Sequence, residues 1–241
     1  MPLRDSKNRA SHPDRVGSVG PSIDARLAAG KTIRATVPRG THAEWTRSGR
    51  DPIEILKRSD EGRLPKLIPI RYARMRQSPF AFYRGAAALM ALDLSKTPAT
   101  GIHVQACGDC HAANFGGFAS PERRLLFDIN DFDETLRAPW EWDVKRLAAS
   151  IELASRELGL GGRRCTGAVR TMVASYREHM LEYARMRALE VWYSHLDAEI
   201  FITKAKSRAS RKKWEAIEQK PRSQTVEHVW FAKAAPTRLP R

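Results

Sequence analysis

Cysteine is scarce in this chain, with three residues among 241, and this scarcity excludes a disulfide-stapled secreted scaffold. Long apolar runs are also missing, because the longest, near residues 85–94, falls well short of the roughly 20 residues that a membrane span requires. The N-terminal segment carries charges but no apolar stretch typical of a secretory leader. We therefore expect a cytoplasmic protein without a membrane partner, in which Cys107, Cys110 and Cys165 are thiols.

Acidic residues are fewer than basic ones, 27 against 42, and the formal net charge is +15. Most of the excess lies at the two ends, with a net charge of +6 in residues 1–50 and +8 in residues 204–241. We predict a basic, largely irregular arm over 1–50, a folded lobe over 51–203 and a basic, poorly ordered tail over 204–241. Such ends are commonly solvated, so nucleic-acid binding through them is the weaker alternative.

Apolar periodicity predicts a helix-rich lobe with a few short strands, of the α+β class. Helices are expected to start where Asp51 and Ser78 precede proline, because both are favoured N-caps. In the first of these helices, Ile53, Leu56 and Leu64 are expected to face the core. The other predicted elements are a short helix over 23–29, a helix continuous over 80–94, one from Pro139 to 159–162, one over 169–192, and strands over 102–106 and 125–129.

Arg84 lies beside the apolar stripe of the predicted 80–94 helix. A guanidinium in that position requires an anion or a carboxylate. Pairing with an internal Asp or Glu is the simpler interpretation, and contact with a substrate phosphate is the alternative.

The segment CGDCHAANFG, residues 107–116, follows the first predicted strand and has the spacing of a kinase-type catalytic loop. Asp109 and Asn114 are five residues apart, with His111 between them. In kinase-type chemistry an Asp orients the attacking hydroxyl, and an Asn and a second Asp hold Mg²⁺. The segment DINDFDE supplies that second Asp as Asp131, with Asp128 as the alternative ligand.

Other interpretations of the same residues remain open. Asp109, His111 and Asn114 are also typical turn and capping residues. Cys107-x-x-Cys110-His111 matches a c-type haem attachment string, part of a zinc site, or a redox thiol pair. A metallophosphatase would require further histidines on separate strands.

Three segments together resemble a bacterial family, the domain of unknown function 2252 (DUF2252). They are SPFAFYRGAAALMALDL, the stretch from CGDCHAANFG to WEWDVKRLAAS, and YREHMLEYARM with VWY, and the resemblance covers about residues 30–200. The loop in turn resembles that of aminoglycoside- and choline-type phosphotransferases. That resemblance implies the C-terminal lobe of a protein-kinase-like fold, Mg²⁺ and ATP as cofactors, and a small hydroxylated substrate.

The same resemblance implies roles for individual residues. Asp109 would be the catalytic aspartate. His111 would belong to the catalytic set with it and support the loop, and Asn114 would bind Mg²⁺ together with Asp131 or Asp128. Asp143 would support the loop through hydrogen bonds.

The resemblance also implies a departure from the family pattern. A Gly-rich segment and a strand lysine are expected to follow the loop in longer members, and neither is visible before Arg241. We therefore expect an incomplete, impaired phosphotransferase, with a non-catalytic binding or regulatory fragment as the alternative. A lobe surface left exposed would favour self-association.

Overall fold

Helices and short antiparallel strands occur in blocks along the chain. The computed structural model describes residues 20–44, 49–122 and 124–197, with single positions at 203, 208, 211 and 212. Most of the predicted tail, and residues 1–19 of the predicted arm, lie outside these residues. The α+β, helix-rich class is confirmed. The helices are α1 (Ile23–Thr36), α2 (Pro52–Arg58), α3 (Ile68–Met75), α4 (Pro79–Arg84), α5 (Ala87–Leu94), α6 (Glu141–Glu157), α7 (Gly162–Tyr183) and α8 (Ala188–Trp192), and the strands are β1 (His103–Ala106), β2 (Phe115–Ala119), β3 (Leu125–Ile129) and β4 (Leu136–Pro139).

The predicted helix starts at Asp51-Pro52 and Ser78-Pro79 are both confirmed. The Asp51 side chain accepts hydrogen bonds from the backbone N–H groups of Ile53 and Glu54 at 2.8 and 3.4 Å. The Ser78 hydroxyl accepts one from Ala81 at 3.0 Å. These contacts satisfy donors that have no intrahelical partner in the first turn. Helix α1 extends to Thr36, further than the 23–29 segment predicted for it.

A small apolar core joins α2, α3 and α5. It contains Leu56, Met75, Ala86 and Leu89, with the partly buried Tyr72 and Ile55 packed against it. The prediction that Ile53 and Leu64 face this core is wrong, because they are 59% and 58% exposed. Helix α2 has only seven residues; Leu56 is buried in the core, and Ile55 packs against it.

The helix predicted to be continuous over 80–94 is broken between α4 and α5. At the break, the Gly85 carbonyl accepts a hydrogen bond from Arg71 Nη2 at 2.7 Å. A Cβ atom on Gly85 would lie 2.6 Å from Met75 Sδ. The break therefore lets α3 pack closely against Gly85 and directs the carbonyl away from a helical bond.

The helix predicted over 169–192 is also interrupted. Helix α7 ends at Tyr183 and α8 starts only at Ala188. The Trp192 side chain at the end of α8 is 82% exposed, so the apolar pattern there does not reflect burial. None of the described helices is both long enough and apolar enough to cross a bilayer.

Two antiparallel ladders are nested in the middle of the chain. Strand β1 pairs with β4, from His103 opposite Pro139 to Ala106 opposite Leu136. Between them in sequence, β2 pairs with β3. The strand prediction found β1 and β3 but missed β2 and β4. Because one ladder lies inside the other, the segments that connect them, 107–114 and 130–135, must run side by side.

Candidate functional site

The two connecting segments are in direct contact. Gly108 adopts φ +83°, and a Cβ atom there would lie 2.0 Å from the Glu134 carbonyl oxygen. Asn130 N–H donates to the Asn114 carbonyl at 2.9 Å, and the Cys107 thiol donates to the Asp131 carbonyl at 3.4 Å. The sequence-predicted loop and acidic segment are thus brought together along their lengths.

Helix α6 supports the 107–114 loop with three polar side chains on one face. Asp143, Arg146 and Ser150 are spaced i, i+3 and i+7, which places them in one row. The Asp143 carboxylate accepts hydrogen bonds from the backbone N–H groups of Cys107 at 2.7 Å and Gly108 at 3.1 Å. The Ser150 hydroxyl accepts one from Ala112 N–H at 2.9 Å.

The apolar residues of α6 do not form its most buried face. Arg146 and Ser150 are 2% and 0% exposed, whereas Leu147 and Ile151 are only half-buried. Packing against the loop explains this inversion, because the loop's backbone donors require polar partners.

Asp109 is buried in an ion pair with Arg146. Arg146 Nε donates to Asp109 Oδ1 at 2.6 Å, and Nη2 donates to the same oxygen. The other oxygen, Oδ2, lies 3.6 Å from His111 Nε2. The carboxylate is therefore held through one oxygen and accepts no described hydrogen bond through the other.

Arg146 is the residue that sequence reasoning missed. Arg84, for which an internal carboxylate partner was predicted, is exposed, and its pairing with a carboxylate stays a prediction. The available signal was an arginine in the interior of the apolar α6 pattern, three residues after Asp143. The charge of Arg84 still acts at a distance and contributes to lowering the pKa of His111.

His111 is 2% exposed and packs edge-on against Phe80. Burial lowers its pKa, Arg146 and Arg84 lower it further, and Asp109 opposes them. The imidazole is therefore neutral at pH 7. Its Nδ1 atom has no hydrogen-bond partner among the described residues. These properties fit a residue that packs beside Asp109 in the loop.

Asn114 closes the other end of the loop. Its side-chain amide Nδ2 donates to the Asp109 backbone carbonyl at 2.9 Å. This bond uses the nitrogen and leaves the amide oxygen for another partner. The half-buried side chain therefore offers an oxygen ligand of the kind that Mg²⁺ binds.

The carboxylates predicted as metal ligands are exposed. Asp128 lies opposite Gly116 in the β2–β3 ladder, and its Oδ1 accepts from Ile129 N–H. Asp131 lies in the segment that contacts the loop, where its Oδ1 accepts a 3.3 Å bond from Asp133 N–H. No group of three or more His, Cys, Asp or Glu suited to a metal ion occurs in the described part of the chain.

Negative charge is concentrated around the 130–135 segment. Partial desolvation, together with Asp109, Asp131 and Asp133, raises the pKa of Glu134. Hard oxygen donors and crowded carboxylates fit a divalent cation in chemical type. A cation bound by Asn114 and one carboxylate would complete its coordination shell with water or phosphate oxygens.

The surroundings of Cys107 and Cys110 favour the protonated thiol. All three cysteines are free and buried, as expected for thiols. Burial, with Asp143 second, raises the pKa of Cys107 to about 11 and that of Cys110 to about 12. Both thiols therefore favour the protonated form at neutral pH, in which they are weak nucleophiles.

Comparison with known protein families places most of the folded lobe in one family. The model of the family described as "Uncharacterized protein conserved in bacteria (DUF2252)" matches residues 63–238. The searches of curated proteins and of solved structures returned no match.

Proposed function

The chain belongs to the DUF2252 family of bacterial proteins, and we propose its function from the site because the family description assigns no activity. We propose a Mg²⁺- and ATP-dependent phosphotransferase site of the kinase-like type, which acts on a small hydroxylated substrate. The observation that carries the proposal is the 107–114 loop itself. The Asp143 carboxylate accepts a hydrogen bond from the start of the loop, and the Asn114 amide donates one to the Asp109 carbonyl. Gly108 lets the loop lie in direct contact with the acidic segment.

Each loop residue has a definite part in the proposed chemistry. Asp109 Oδ2 would accept a hydrogen bond from the substrate hydroxyl and so orient it. Neutral His111 would pack beside that carboxylate without forming an ion pair with it. Bound Mg²⁺ would offset the phosphate charge that develops during transfer. Asn114 and Asp131 would hold the ion, and Asp131 is preferred over Asp128 because its segment contacts the loop. In such reactions positioning and charge stabilisation supply most of the rate.

Isothermal titration calorimetry with Mg²⁺ and then with Mg-ATP tests the cation site. We expect binding by the wild-type chain, and affinity at least about tenfold weaker in Asp131→Asn, because a carboxylate binds a hard cation more strongly than an amide. Asp128→Asn should retain most of the affinity. The control is Glu178→Gln, which removes one charge from the exposed surface of α7.

Two results would contradict this proposal. One is the absence of heat for both ligands in the wild-type chain, and the other is equal affinity in the wild type and Asp131→Asn. ATP hydrolysis that Asp109→Asn abolishes would extend a positive result from binding to catalysis. The implied Gly-rich and lysine-bearing segments stay a prediction.

A non-catalytic binding role is the second candidate, and exposed apolar side chains favour it. On α7 and α8, Met180 and Leu181 are 48% and 49% exposed, and Leu189 and Trp192 are 65% and 82% exposed. Apolar groups of this size are unfavourable in water and commonly mark contact surfaces. Self-association through this end of the lobe is the simplest form of such binding. Electrostatic binding of nucleic acid through the basic ends concerns residues that lie partly outside the described ones, and it stays a prediction.

Sedimentation velocity distinguishes this role from a monomeric enzyme. We expect a concentration-dependent dimer that Trp192→Ser weakens by about tenfold or more, because large aromatic side chains dominate interface energies. Leu158→Ser is the control, since Leu158 is 78% exposed but lies at the end of α6. A chain that stays monomeric at every concentration, or two variants with equal effects, would count against this surface.

A further inference from the structure

The two carboxylate oxygens of Asp109 have different surroundings. Oδ1 accepts both hydrogen bonds from Arg146. Oδ2 accepts none from any described residue, and it lies 3.6 Å from His111 Nε2. That separation is longer than a hydrogen bond. Oδ2 is thus the oxygen with acceptor capacity to spare.

Arg146 cannot easily rotate away from Oδ1. Its Nη2 also donates to the Tyr83 carbonyl at 3.0 Å, and its Nη1 lies 3.7 Å from Met90 Sδ. Its guanidinium carbon lies 4.5 Å from the centre of the Tyr83 ring. The Tyr83 hydroxyl in turn donates to the Arg146 carbonyl at 2.8 Å. These contacts fix the Arg146 guanidinium along its edges and over one face, so that it has a single orientation.

We propose that Arg146 is a positioning residue for Asp109. The guanidinium of Arg146 has a fixed orientation and donates two hydrogen bonds to Oδ1. Arg146 therefore sets the rotation of the carboxylate and leaves Oδ2 free to accept a hydrogen bond from the substrate hydroxyl. The same contact holds the start of the loop on α6, beside the two Asp143 bonds. This inference rests on the proposed function for its catalytic meaning. Lysine would not replace arginine here, because an ammonium lacks the planar fork.

Two buried loop thiols make the positioning measurable without activity. Cys110 is adjacent to Asp109, and Cys107 is two residues before it, whereas Cys165 lies on α7 and is fully buried. Alkylation by iodoacetamide, followed at each cysteine by mass spectrometry, separates opening of the loop from unfolding of the chain. Loop release exposes Cys107 and Cys110 only, and global unfolding exposes all three.

We expect Arg146→Lys to increase labelling of Cys107 and Cys110 by about tenfold or more, with labelling of Cys165 unchanged, because local opening exposes only the released segment. Tyr83→Phe serves as the control, since it removes a hydroxyl from the same network but leaves the contact between Arg146 and Asp109. It should change loop labelling much less than Arg146→Lys.

Chemical rescue tests whether the fork itself is required. In Arg146→Ala, added methylguanidinium should restore protection of Cys107 and Cys110, and methylammonium at equal concentration should not. A structural role based on charge alone predicts equal rescue by both cations. If Arg146→Ala does not fold, the comparison of Arg146→Lys with Tyr83→Phe decides the question.

The proposal is overturned if the loop cysteines of Arg146→Lys are labelled no faster than those of the wild type, or if labelling of all three cysteines increases equally. It is also overturned if methylguanidinium and methylammonium restore protection equally in Arg146→Ala. These outcomes are distinct from failure of the proposed function. A wild-type chain that shows the expected labelling pattern but no response to Mg²⁺ or Mg-ATP would reject phosphotransfer alone and leave Arg146 as the anchor of the loop.

Discussion

Asp109→Ala is expected to lower the free energy of unfolding by about 3–5 kcal/mol, as measured by urea denaturation. The substitution leaves the Arg146 guanidinium, which is 2% exposed, as an uncompensated charge in the interior. Removing one partner of a buried ion pair is costly because the remaining charge has lost both its water and its counter-charge. A second change, Arg146→Met in the same chain, should recover part of the loss.

A surface pair gives the matched comparison. Glu152→Ala removes the partner of Arg156, whose side chain is 68% exposed, and should cost about 0.5 kcal/mol or less. If Asp109→Ala were no more destabilising than Glu152→Ala, Arg146 would have to be solvated, and the buried pair would be contradicted. Loss of activity in Asp109→Ala would also be ambiguous between chemistry and stability, so Asp109→Asn, which keeps an acceptor oxygen, is the better probe.

Gly108→Ala is expected to cost about 3 kcal/mol or more, from two sources. The φ of +83° disfavours any residue with a Cβ atom by about 1–2 kcal/mol. The added Cβ would also lie 2.0 Å from the Glu134 carbonyl oxygen, and a backbone atom cannot move aside as a side chain does. The loop and the acidic segment would have to separate, at a further cost of about 1–3 kcal/mol.

Gly159→Ala separates these two contributions. Gly159 has a similar φ of +73°, but no atom lies within 4 Å of the position that a Cβ atom would take there. The difference in unfolding free energy between the two variants therefore measures the contact between the loop and the acidic segment. Equal losses in both variants would show that the two segments are not in close contact.

Local sequence signals were reliable where neighbouring residues decide the structure. Asp51 and Ser78 cap helices because a short side chain reaches backbone donors two or three residues ahead. Strand β3 was predicted at its full length because a short apolar run that follows turn residues is a local property. The break at Gly85 was not predicted, since it depends on Met75 and Arg71 from another helix.

The sequence by itself determined the family, the α+β class and the spacing of Asp109, His111 and Asn114. Tertiary structure decided which groups surround them. Asp109 meets Arg146 across 37 residues, and Gly108 meets Glu134 across a nested pair of ladders. Helical periodicity places Asp143, Arg146 and Ser150 on one face of α6. It cannot show that the polar backbone of the 107–114 loop, rather than apolar side chains, packs against that face. Such contacts depend on how elements distant in sequence pack, and no local pattern encodes that packing.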